Sequence, residues 1–316
     1  MTSFRYRMIR FILKVLPFKK MLSAPADKLI KAARRMNAGK GRVFRIPADP
    51  TYVYEDISVR AAGKMWHCLV IRDKDDAMSK PDKAVLFLYG GGMISEPDKS
   101  DILPAMKLAR ATGREVWFPF YPLCIDYSAM RSLEMVSACY REMLLRLSPQ
   151  KVTVLGYSSG ANLALALSHS IRERDEKLPQ PEKLILISPG AITDDKDWRE
   201  RAARLASRDI LVGTQFFDNV KTIMEHGENL PAWFLNPWSA SFDGFPPCHF
   251  WFGGDELLAA SAPNFSAVCD RAKIPYTMTV EEKMCHSYPF IPGPAFPEKK
   301  AAFHEIVDRI NAIEQR

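Results

Sequence analysis

The sequence predicts an α/β fold built on a mostly parallel sheet, and three observations carry that reading. Short apolar, β-branched runs alternate with segments of helical period along most of the chain. Those runs are apolar throughout, as strands covered on both faces are. After an opening pair joined by a turn, the order strand, helix, strand argues right-handed helical crossovers.

The elements follow in order. YVYEDISV (52–59) and MWHCLVI (65–71), parted by a turn at Ala62-Gly63, read as an opening strand pair. AVLFLY (84–89), EVWFPF (115–120), KVTVLG (151–156), KLILIS (183–188), CHFWFGG (248–254) and YTMTVEE (276–282) are the short runs expected of buried strands. Helices are expected near 98–112, 129–147, 159–173, 262–273 and 296–313. Between Ala191 and Pro247 the rhythm breaks into helical stretches, DWRERAARLA and QFFDNVKTIMEHG, with no clear strand. A structureless loop of that length is unusual in a compact domain, so this interval reads as a helical insertion above the sheet.

Composition bounds the class. At 316 residues, 47% apolar and 26% charged, the chain has an ordinary globular make-up and can bury a full core. The net charge of +7 is uneven: residues 1–42 hold twelve Lys/Arg against Asp27 alone, and the rest of the chain carries −4. No nucleic-acid reader motif or aromatic-studded basic stripe accompanies those cations, so a nucleic-acid partner is not expected. Six scattered cysteines with no CxxC pair suit free thiols in a reducing compartment, and no metal site is expected. FRYRMIRFILKVLPFKK is interrupted by Arg10 and Lys14, a poor leader core and too short to span a bilayer; a cytoplasmic location is expected.

That N-terminal stretch reads as a helix with Phe4, Met8, Phe11, Ile12 and Val15 at helical spacing, ended at Pro17. A second helix starts around Pro25 and Asp27 and stops at Gly39. The preferred expectation docks both on the body; the alternative lays the first, weakly, on an anionic membrane surface.

Gly156-Tyr157-Ser158-Ser159-Gly160 fits G-x-S-x-G, with a buried strand before it and an Ala/Leu-rich helix after it. The segment reads as a nucleophile elbow, a sharp strand-to-helix turn that lifts one serine into solvent, and Ser158 is the expected nucleophile. A serine hydroxyl needs a base, and the base an orienting carboxylate. His286, in MCHSYPF after the last strand, opens a loop at the sheet's carboxyl edge; His169, His226, His249 and His304 fall on elements that aim elsewhere. In WFGGDELL the acid is expected at Asp255, with neighbouring Glu256 as the alternative. LYGGGM ends a strand in consecutive glycines, and Gly91, Gly92 and the Ser159 N–H are the expected oxyanion donors.

On these residues the chain resembles the hormone-sensitive-lipase-like esterases of the α/β-hydrolase superfamily, over roughly residues 50–315. The glycine triplet ahead of the elbow, the segment SASFDGFPPCHFWFGGDELL and His286 carry the resemblance. It implies an α/β-hydrolase fold with a helical cap: N-terminal helices in 1–45, core in 46–190, cap insertion in 191–245 and core again in 246–316. Two positions depart from the family pattern: Tyr89 stands where the family usually has His, and YPLCIDYS (121–128) replaces its Tyr-Arg-Leu-Ala-Pro-type segment. Tyr89 keeps a hydrogen-bonding ring that could hold the glycine loop. The expected activity is a serine carboxylesterase for short acyl esters, small molecules, with no cofactor. A non-catalytic ligand-binding protein, or an amidase or peptidase with the same triad, is the alternative.

Overall fold

The computed structural model describes residues 2–40, 47–75, 82–173 and 178–313. Eight strands form one sheet: β1 (Tyr52–Ala61), β2 (Lys64–Asp73), β3 (Ala84–Leu88), β4 (Glu115–Pro119), β5 (Val152–Tyr157), β6 (Lys183–Ile187), β7 (Cys248–Gly253) and β8 (Tyr276–Glu281). Their order across the sheet is β1-β2-β4-β3-β5-β6-β7-β8. β2 runs antiparallel to both neighbours, and every pair from β4 to β8 is parallel. The opening pair meets at the expected Ala62-Gly63 turn, where both residues have positive φ.

The central strands are buried along their whole length, which is why their sequences run apolar without alternation. Helices α4 (Lys99–Thr112), α5 (Ala129–Leu144), α6 (Ser159–Glu173) and α10 (Ala262–Ala272) make crossovers and, with the C-terminal α11 (Pro297–Asn311), flank the sheet. α4 shows the local logic: Asp98 and Asp101 form a capping box, and Gly113 stops the helix in the left-handed conformation. The chain runs from β3 out to β4, then crosses back over β3 to β5. The crevice at the carboxyl ends of β3 and β5 is therefore a topological switch point, where open α/β sheets place their ligands.

The interval between β6 and β7 is helical, as expected, with α7 (Lys196–Ala206), α8 (Thr214–Glu225) and the short α9 (Ala232–Leu235). At the N-terminus α1 (Phe4–Val15), α2 (Phe18–Leu22) and α3 (Ala26–Lys40) precede the sheet. The two helical groups are joined: Lys19 Nζ donates to the carbonyls of Ala206 and Asp209, each at 2.6 Å, and Asn219 Nδ2 to that of Ala24 at 2.9 Å. All six cysteines are buried and unpaired.

α1 docks, but not by the expected stripe. Phe4, Met8, Phe11, Ile12 and Val15 face outward, while Tyr6 is buried and Ile9 and Leu13 pack behind it. Tyr6, Ile9 and Leu13 are a second apolar stripe at i, i+3 and i+7, so the helix has two apolar faces and the body takes the one that carries Tyr6.

Candidate active site

The elbow forms at the end of β5. Ser158 sits at φ +53° with its N–H donating to Ile187 O at 2.8 Å, and α6 begins at the next residue. Such a turn brings strand and helix into near contact. A Cβ on Gly156 would lie 2.2 Å from Gly160 O, and one on Gly160 would lie 2.1 Å from Leu88 O. Only glycine fits either position, the physical content of the motif.

The structure brings His286 to Ser158. Its Nε2 is 2.8 Å from Ser158 Oγ, and its Nδ1 is 2.5 Å from Glu256 Oε2. Asp255 does not reach the histidine. Its carboxylate pairs with Arg10 and lies 3.6 Å from Arg208, so the expectation that Asp255 orients His286 is corrected to Glu256. A turn closed by Glu256 N–H on Gly253 O at 3.1 Å leads into extended backbone at Glu256 (φ −93°, ψ 147°), where successive side chains point to opposite sides. The carbonyls of Met284 and Cys285 press so close to Gly253 that a Cβ there would lie 2.4 Å from the first. The acid and histidine loops are packed backbone to backbone.

Glu256 is fully buried and fully engaged. Its Oε1 accepts Ser188 O–H at 2.8 Å and Gly253 N–H at 2.7 Å while Oε2 meets His286. Ser188 also accepts Ser287 N–H at 3.0 Å, joining acid and histidine loops through one hydroxyl. Asp209, from the insertion, accepts Leu257 N–H at 2.7 Å and pins the chain just after the acid. Burial pushes the Glu256 carboxyl above its ordinary range, and the bonds from His286, Ser188 and Gly253 pull part of the way back. For His286 burial acts downward, but the Glu256 charge and hydrogen bond outweigh it and hold the imidazole above its usual value.

Gly92 and Ser159 line a cavity with Ser158; Gly91 lies one residue outside it, its carbonyl taking the N–H groups of Ile94 and Ser95. Ser159 Oγ accepts Met93 N–H at 3.2 Å, tying the glycine loop to the elbow. From α3, the buried Asn37 clamps the same loop, donating to Ile94 O and accepting Glu96 N–H, both at 2.9 Å. Tyr89 holds the loop otherwise than expected. Its hydroxyl has no hydrogen-bond partner among the described residues; its ring stacks on Tyr121 at 4.2 Å, and Tyr121 O–H donates to Tyr89 O at 2.6 Å. Across from the serine, Phe216, Phe217, Val220 and Met224 of α8 and Phe234 of α9 close the cavity, which measures ≈ 60 Å³. Trp198, Trp233 and Trp238 are not among its lining residues.

The remaining histidines stand apart. His169 is buried against Pro237 O at 2.9 Å, where burial lowers its pKa to about 4. His249 meets Thr277, His226 ends α8, and His304 lies on α11. Sequence reasoning passed over Ser188, Asp209 and Asn37. For Ser188 the available signal was its place at the carboxyl end of the strand beside the acid strand; the other two reach the site only through long-range packing.

A family model described as alpha/beta hydrolase fold matches residues 85–290. Among curated proteins, the chain is similar to an esterase of Acinetobacter venetianus RAG-1, with 22% identity over 75% of this chain and 78% of the relative. It is also similar to an acetyl-hydrolase of Streptomyces hygroscopicus, with 26% identity over 70% and 72%. Among solved structures, an esterase from the bacterial hormone-sensitive lipase family superposes with a TM-score of 0.78, 22% identity and 98% coverage of both chains. The protein EstE5 soaked with p-nitrophenyl butyrate gives 0.77, at the same identity and coverage. The matched span runs from β3 to the loop carrying His286 and takes in both the parallel sheet and the elbow: the chain belongs to the alpha/beta hydrolase fold family.

Proposed function

We propose that the protein is a serine carboxylesterase acting on short acyl esters through an acyl-enzyme. The observation that carries this reading is the continuous relay Ser158–His286–Glu256 opening on a small apolar cavity. Ser158 Oγ attacks the ester carbonyl carbon while its proton passes to His286 Nε2; Glu256 holds the ring and balances the imidazolium. The oxyanion takes N–H donors from Gly92 and Ser159, with Gly91 the further donor on the glycine loop. The acyl–oxygen bond then breaks, and His286 returns the proton to the departing alcohol. A water gives a proton to His286 as its oxygen attacks the acyl carbon, and Ser158 leaves with that proton as the acid is released.

The short-acyl preference rests on the cavity, ≈ 60 Å³ against the roughly 300–1,000 Å³ of sites for drug-sized ligands. The helices α8 and α9 then serve as a cap, with α1–α3 completing it. Relatives point the same way, one being an acetyl-hydrolase and one structural neighbour having been soaked with p-nitrophenyl butyrate. Six buried, unpaired thiols fit a reducing compartment.

The test is a series of p-nitrophenyl esters from acetate to palmitate with the wild type and Ser158→Ala, alongside labelling by an organophosphonate. Turnover should peak at short chains, vanish in the variant, and coincide with modification of Ser158 alone. Turnover of palmitate without acetate, or a label on another residue, would overturn the reading.

A further inference from the structure

The outer face of α1 is unlike the rest of the surface. Of the thirteen large apolar side chains exposed among the described residues, seven come from residues 4–18: Phe4, Met8, Phe11, Ile12, Val15, Leu16 and Phe18. Phe4 and Phe11 are each 68% exposed. At about 100° per residue, Phe4, Met8, Phe11, Ile12 and Val15 form one stripe. Arg5 flanks one edge of that stripe, Arg7 and Lys14 the other.

The helix is held so that this stripe cannot turn inward. Its opposite face carries Tyr6, whose ring packs on Phe296 with centroids 5.2 Å apart and whose hydroxyl donates to Lys283 O at 2.9 Å. Arg10 pairs with Asp255, and Ser3 donates from its hydroxyl to Glu298 at 2.7 Å. The outward stripe is thus a fixed feature of the folded chain.

Charge selects what would cover it. Residues 1–26 contain no carboxylate. Arg5, Arg7, Lys14 and Lys20 are exposed and have no ion-pair partner among the described residues. Two copies meeting by this face would set those cations against each other with no acid to balance them, which disfavours self-association. An apolar stripe edged by cations matches a surface that is apolar at depth and anionic at its rim. Among the described residues no helix is long and apolar enough to cross a membrane, so the contact is peripheral.

We propose that the outward face of α1 is a docking surface for an anionic phospholipid bilayer, the helix lying in the headgroup plane with Phe4, Met8, Phe11, Ile12 and Val15 toward the acyl chains. The same helix touches Asp255 and Lys283, beside the acid Glu256 and on the loop leading to His286, so docking sets the outer side of the acid and histidine loops about one helix diameter, roughly 10 Å, from the lipid. The proposal stands on the outer surface and is independent of the esterase reading.

The experiment is co-sedimentation of the full chain with phosphatidylcholine vesicles, with and without phosphatidylglycerol. Wild type should bind the anionic vesicles more than about tenfold better than the neutral ones, and added salt should weaken that binding. The variants Phe4→Ser/Phe11→Ser and Arg7→Glu/Lys14→Glu should each lose about tenfold or more while keeping the wild-type Tm and solution ester turnover. Four results would each overturn the proposal: wild type left in the supernatant, no preference for the anionic lipid, pelleting unchanged in both variants, or light scattering showing a dimer that the Phe variant abolishes without any vesicle binding. The last would assign the face to a second copy of the chain.

Discussion

Ser188 donates its hydroxyl hydrogen to Glu256 Oε1 at 2.8 Å and, by accepting Ser287 N–H, ties the acid to the residue after His286. Removing that hydroxyl leaves a buried carboxylate one donor short. Ser188→Ala should lower folding stability by about 1.5–3 kcal/mol, the usual range for a hydrogen bond to a charged group. With the relay loosened, kcat should fall at least about tenfold while KM for p-nitrophenyl acetate stays near wild type, because Ser188 is outside the cavity lining. Urea unfolding and steady-state kinetics measure both. Unaltered kcat would make Ser188 structural only.

The neighbouring carboxylates should separate cleanly. Glu256→Gln should cost kcat on the order of 10⁴-fold, the general scale for taking the orienting carboxylate from a serine–histidine pair. Asp255→Asn should keep most turnover and instead lower stability by about 1–3 kcal/mol, since Arg10 loses the partner that fastens α1 to the body. The reverse pattern would return the orienting role to Asp255.

For the pH profile, His286 acts as a base only when neutral, so kcat/KM should rise with pH through its pKa. The Glu256 carboxylate favours the imidazolium and raises that pKa above the ordinary 6.5, so the acidic limb should lie above pH 6.5. Glu256→Gln removes the charge responsible, and the His286 titration followed by NMR should move to lower pH. A limb below 6.5 in wild type, or a titration indifferent to the substitution, would contradict the pairing.

Phe216 closes the cavity opposite the glycine loop, with Cζ 3.1 Å from where a Cβ on Gly92 would lie. Phe216→Ala should lengthen the preferred acyl chain, raising kcat/KM for hexanoate or octanoate relative to acetate by about tenfold. Of the four to six methylenes by which those chains exceed acetate, about one newly accommodated in an apolar pocket accounts for a change of that size. An unchanged chain-length profile would place the acyl group elsewhere.

Of the fold and the candidate site, the local parts were legible in the sequence. All eight strands and the helical interval between β6 and β7 stand where apolar runs and helical periods put them, because strand burial and helix period are written in consecutive residues. Ser158 was legible because the elbow's G-x-S-x-G pattern is written in consecutive residues: Gly156 is forced by a contact of 2.2 Å with Gly160 O inside the turn itself, although the neighbour that forces Gly160, Leu88 O, belongs to β3. His286 followed from its loop at the sheet edge. Tertiary structure alone decided the rest. Which carboxylate turns inward at Asp255-Glu256 depends on a turn pressed against Met284 and Cys285, some thirty residues downstream, and the sequence pattern favoured Asp255, the residue that faces Arg10 instead. Which apolar face of α1 docks depends on Phe296 and Lys283 at the far end of the chain, surfaces that exist only once the sheet has assembled. Side-chain direction at a turn, and the choice between two faces of one helix, are set by long-range packing, and helical period carries no record of either.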